Sequence, residues 1–176
     1  QRGEFFDDRA EHGGRELENL PSADVVNLQF GWKFVDLEGL FNKVPATVPI
    51  VVTMHEMATF TGGCSYAGDC ERYLRQCGNC PLMDSFQVND LSRRSWRRKQ
   101  AAYHGRLPGK IHFVADSYWL ARQARRSGLL ADLPVSVIHY GLDTSVFRPL
   151  NRKVCRELLA VPSDVPVVSF AAASVT

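Results

Sequence analysis

The densest run of reactive side chains is residues 55–84, HEMATFTGGCSYAGDCERYLRQCGNCPLMD. His55 and Glu56 follow an apolar stretch directly, and Cys64, Cys70, Cys77 and Cys80 come after them in the spacing C-x5-C-x6-C-x2-C. An imidazole changes charge near neutral pH, so a histidine at the mouth of a cleft can present a hydrogen bond or a proton to a ligand. Gly62 and Gly63 lie close behind it, and residues without a Cβ let backbone approach a ligand closely. Glu56 has three roles open to it: orienting His55, facing a substrate, or serving as a plain loop carboxylate. His55 itself has a bland alternative, a capping or core histidine.

The cysteines suggest a second kind of chemistry. A C-x2-C pair lets two thiolates reach one ion from a tight turn, here built on Gly78 and Asn79, and two further thiolates complete a tetrahedral zinc shell. The five-residue gap between Cys64 and Cys70 is looser than in most ribbons and fingers. Zinc is the first assignment, and disulfides, unligated thiols and an iron-sulfur cluster stay open. Either bonded form would pin a long loop that has too few apolar residues to order itself. Asp69, Glu71, Arg72 and Arg75 read as a solvated face around the cluster. The fifth cysteine, Cys155 in RKVCRELLA, reads as a small apolar residue on a helix.

These groups need a scaffold, and the apolar pattern supplies one. Five short runs rich in Val and Ile recur: DVVNLQF (24–30), VPIVVTMH (48–55), IHFVA (111–115), VSVIHY (135–140) and VPVVSF (165–170). Runs of this length, mostly unbroken by polar residues, predict strands of a parallel sheet. Between them KFVDLEGLFNKV predicts a helix with Phe34, Leu37, Leu40, Phe41 and Val44 in one stripe. DSYWLARQARRSGLL predicts another, with Asp116 or Ser117 as N-cap and Gly128 near its end. NRKVCRELLA predicts a short helix with Val154, Leu158 and Leu159 inward. The alternation of strand and helix predicts an α/β fold, a Rossmann-like parallel sheet with helices on both faces. Ligands of such sheets bind beyond the carboxyl ends of the strands. His55-Glu56, Asp116-Ser117 and Gly141-Leu142-Asp143 follow successive strands, so that edge is the predicted site.

Composition narrows the partners. The chain has 176 residues, 45% of them hydrophobic, which is enough for a real core. With 21 basic and 19 acidic residues the net charge is +2, too small to make nucleic acid the default partner. No apolar run is long enough to cross a bilayer and no signal core leads the chain, so a cytoplasmic protein is expected. RRSWRRK (93–99) sets Arg93, Arg94, Arg97, Arg98 and Lys99 around Trp96. An exposed amphipathic helix with Trp96 turned inward is the simplest account. A contact with an anionic membrane surface, with a lipid-linked acceptor or with nucleic acid is the functional one.

The segments VVTMHEMATFTGGCSYAGDCERYLRQCGNCPLMD, IHFVADSYWLARQARRSGLL and VSVIHYGLDTSVFRP together resemble bacterial glycosyltransferases of family 4, retaining enzymes of GT-B architecture. In one branch a strand leads to His-Asp, then Thr-Gly-Gly-Cys, a cysteine loop ending in Cys-x2-Cys-Pro, a "VA-x-S" strand end, and a "VI-x-NG-(V/L)-D-x3-F-x-P" segment. Glu56 stands where Asp is commoner, and Tyr140 where Asn is usual. The resemblance implies transfer of a sugar from a nucleotide-sugar donor to a saccharide or lipid-linked acceptor with retained anomeric configuration. It also implies that His55 contacts the reacting sugar at the interdomain cleft. Residues 1–149 would then be the acceptor-side domain without its first strand. Residues 150–176 would be a linker, a helix and the first strand of the donor-binding domain, and such a fragment is expected to be inactive alone. The competing class is a zinc-stabilised binding module that uses the basic helix to contact nucleic acid or an anionic membrane.

Overall fold

Four of the five Val/Ile runs form strands in a computed structural model that describes residues 3–9, 17–29 and 35–169. They are β1 (Val26–Leu28), β2 (Ile50–Met54), β3 (Ile111–Ala115) and β4 (Val135–Val137). All neighbours run parallel, in the order β1-β2-β3-β4. Register fixes which side chains share a face. Val26, Ile50 and Ile111 align, as do Leu28, Val52, Phe113 and Val135, and Met54 aligns with Ala115 and Val137.

The helices start where a side chain can take up free backbone amides. Asp36 caps α1 (Leu37–Lys43) by accepting the Gly39 N–H at 2.6 Å. Asp90 caps α2 (Leu91–His104) through the Arg93 N–H at 3.0 Å, and Ser117 caps α3 (Tyr118–Arg126) through the Leu120 N–H at 3.2 Å. Leu40 and Phe41 of α1, Trp96 and Tyr103 of α2, and Leu120 and Ala124 of α3 join one buried cluster with Ile50, Val52, Met54 and Phe113. The Tyr103 ring lies 5.6 Å from that of Phe41 and 5.0 Å from that of Phe113, tying two helices to β3. Burying a side chain the size of Phe113 contributes about 1.5–3 kcal/mol.

All three crossover helices therefore cover one face of the sheet. A strand order that advances in one direction through right-handed crossovers puts every connecting helix on the same side. Helices on both faces would need a reversal of strand order, which the described strands lack. The other face carries Asn27, Val51, Thr53, His112 and Ser136, and two side-chain bonds cross it: Thr53 Oγ1 to Asn27 Oδ1 at 3.2 Å and His112 Nε2 to Ser136 Oγ at 2.8 Å.

The chain divides into two compact units, Gln1–Tyr140 and Gly141–Thr176. The second holds α4 (Arg152–Leu158), capped by Asn151 Oδ1 on the amides of Lys153 and Val154 at 3.0 and 3.2 Å. Its predicted inward residues are exposed instead, Val154 at 51%, Leu158 at 80% and Leu159 at 74%. The fifth run forms no strand over its described part, 165–169. A lone extended segment has no ladder to join, and an unpaired strand is not stable by itself. Phe30, Phe34, Phe170 and the closing AAASVT lie outside the described residues. No described helix is long and apolar enough to cross a membrane.

Candidate functional site at the carboxyl edge of the sheet

β2 ends at Met54, so His55 is the first residue beyond its carboxyl end, with Thr53 one pleat below on the same side. Two side chains hold the imidazole. Its Nε2 is 3.0 Å from Gln29 Oε1, and its Nδ1 is hydrogen-bonded to the Tyr140 hydroxyl. The two rings stack at 9°, with centroids 5.7 Å apart. Gln29 is itself set, because its amide donates to Asn27 Oδ1 at 3.1 Å and to Thr53 Oγ1 at 3.2 Å. That leaves the Gln29 carbonyl oxygen to accept, so Nε2 carries a proton and, in neutral His55, Nδ1 accepts from the tyrosine.

Asp116 adds an alternative partner for that tyrosine. Burial and a hydrogen bond to Asp116 raise the Tyr140 pKa above its ordinary value. A phenol has one proton to donate. The O–H that serves His55 Nδ1 is therefore not available to Asp116 at the same time. One hydroxyl thus has two acceptors beside it, His55 Nδ1 and the Asp116 carboxylate. Aromatic rings continue along this edge. Tyr66 lies 6.1 Å from Trp119, Tyr118 packs edge-on to His139 at 5.3 Å, and His139 Nδ1 is 2.8 Å from the Asp116 carbonyl.

Glu56 turns into the protein. It is 8% exposed, and its Oε2 accepts the Ala58 N–H at 2.6 Å, closing the turn at Ala58–Phe60. The carbonyls of that turn receive Lys99, whose Nζ donates to Ala58 at 2.7 Å and to Thr61 at 3.1 Å. Lys99 has no exposed surface. Burial holds its pKa down to about 8, while the charges of Asp8 and Glu56 favour the ammonium. His55 and Glu56 still line one shallow cleft with Leu28, Gln29, Thr53 and Thr59.

Ser117 spends its hydroxyl as the α3 cap, as expected. Asp143 closes its own turn, accepting the Ser145 N–H at 2.9 Å and the Ser145 hydroxyl at 2.6 Å. The basic run does not form an open stripe. Trp96 is buried as expected, Lys99 is buried with it, and Arg98 pairs with Asp7 and Asp8, while Arg94 and Arg97 are exposed.

No disulfide joins any two of the five cysteines in this structure. Cys64, Cys70, Cys77 and Cys80 line a single small pocket. Among the described residues, no three His, Cys, Asp or Glu converge closely enough to share an ion in this arrangement. Burial pushes the Cys64 thiol pKa up and that of Cys77 up to about 12, against the pull of the Gly62 N–H, which donates to Cys77 Sγ at 3.1 Å.

The residues that complete the His55 site were not singled out for it in the sequence. Gln29 and Tyr140 lie 26 and 85 positions from His55, and parallel pairing alone brings them to it. The one available signal was their place at the ends of predicted strands. Comparison with family models, with curated proteins and with solved structures gave no match.

Proposed function

We propose that this chain is the acceptor-side part of a retaining glycosyltransferase of GT-B architecture. In this proposal it works with a donor-binding domain to move a sugar from a nucleotide-sugar to a saccharide or lipid-linked acceptor. The observation that carries the proposal is His55, fixed between Gln29 and Tyr140 at the carboxyl edge of a parallel sheet. Sugar transfer develops positive charge on the reacting ring and negative charge on the departing phosphate, so an imidazole in fixed orientation beside that ring favours the transition state over the ground state. Gln29 and Tyr140 act through His55, holding its plane and its tautomer. Glu56 acts one step further back, shaping the turn that follows His55. The basic-helix alternative is less well supported, because Arg98 and Lys99 already have partners inside the protein.

The experiment is a panel of nucleotide-sugars offered to the full-length parent, with product configuration read by NMR. A product whose anomeric configuration matches the donor's is expected. An inverted product, or turnover of no nucleotide-sugar at all, would overturn the proposal.

A further inference from the structure

The four clustered cysteines are not used by the sugar-transfer proposal, and their surroundings point to a ligand of their own. We propose that Cys64, Cys70, Cys77 and Cys80 form one structural site for a soft divalent cation, zinc, held by four thiolates.

The thiols reach the shared cavity from separate stretches of chain, and each stretch is held by bonds that need no ion. Cys64 sits in an isolated bridge to Phe5, flanked by Phe6 N–H to Gly63 O at 2.7 Å and Ser65 N–H to Glu4 O at 2.8 Å. Cys80 donates its N–H to Asp90 Oδ2 at 2.8 Å, tying the C-x2-C turn to the start of α2. Between Cys77 and Cys80 the backbone takes positive φ twice, +133° at Gly78 and 47° at Asn79, the tight turn that brings two thiols to one side. A Cβ on Gly78 would meet Val88 O at 2.4 Å, so only glycine fits there. A Cβ on Gly62 would meet Cys77 Cβ at 2.9 Å, and the Gly62 N–H to Cys77 sulfur bond disperses charge on a thiolate.

The sulfurs ring the cavity and do not yet meet. Ligation therefore requires the thiols to turn inward between staggered positions about Cα–Cβ. Each thiol gives its proton to solvent as it ligates, so binding releases protons. Four thiolates around a dication leave a net negative centre.

The test is metal analysis of the purified chain, followed by cobalt(II) titration of the zinc-stripped protein. About one zinc per chain is expected, and cobalt should give the strong thiolate charge-transfer and visible bands of a tetrahedral four-sulfur site. Cys77→Ser and Cys80→Ser should each cut metal content at least tenfold, and Cys155→Ser should leave it unchanged. Because a ligand variant can misfold, a second readout uses the unaltered chain: a thiol reagent should label only Cys155 until a chelator is added. No cobalt spectrum together with five reactive thiols would overturn the proposal. So would the loss of thiols in pairs, which would assign the cluster to disulfides.

Discussion

At the scale of single residues, side chains with similar chemistry have been given different tasks by their surroundings. Glu56 follows His55 directly, yet one carboxylate closes an inner turn while the imidazole faces the sheet edge. Lys99 and Arg98 are neighbours in a basic run, yet both point to partners within the fold. Lys99 makes this measurable. Its pKa in the folded chain is lowered to about 8 from a normal value of 10.5, so between these limits the unfolded chain binds more protons and stability rises with pH. Relative to Lys99→Met, the wild type should therefore gain up to about 3 kcal/mol as pH climbs through that window. Urea unfolding of both proteins at several pH values checks this, and a constant difference would show that Lys99 is not held against its charge. Charge counting in the sequence could not reveal this, because RRSWRRK does not say which cation meets a carbonyl cage.

At the scale of elements, most strands and the Ser117 cap were legible, while the other caps and the faces were not. Short Val/Ile runs became β2 and β3 because β-branched chains suit a buried pleat, and Ser117 and Asp90 cap helices because their side chains replace lost amide partners. The described part of the fifth run, 165–169, and the apolar stripe of α4 carried the same local signals and came out unpaired or exposed, since burial depends on a neighbouring element that local pattern cannot supply. Asp90 shows how much one cap can join. It accepts from Arg93 N–H, from Ser92 Oγ at 2.6 Å and from Cys80 N–H, linking α2 to the cysteine turn. Asp90→Ala should destabilise the chain by about 1–2 kcal/mol and loosen that turn. Hydrogen exchange faster at Cys80 and Arg93 than at the β2 amides would be the signature, and an unchanged melting curve would remove Asp90 from this role.

At the scale of the whole molecule, the design is a parallel sheet whose carboxyl edge gathers groups from distant parts of the chain. The edge itself could be foreseen, because His55 and Asp116 each follow a strand in the sequence. The partners of His55 could not, since Gln29 and Tyr140 meet it only through pairing across the sheet. One-sided helix cover has the same origin: strand order decides it, and strand order is a property of the assembled sheet. The central claim is that the imidazole held at this edge takes part in sugar transfer. Turnover of the full-length parent carrying His55→Ala tests it most directly, with Tyr140→Phe as an intermediate case. A fall in kcat of about 100-fold or more for His55→Ala, a fall of about tenfold or less for Tyr140→Phe, and unchanged melting temperatures are expected. Wild-type turnover in a folded His55→Ala protein would contradict it.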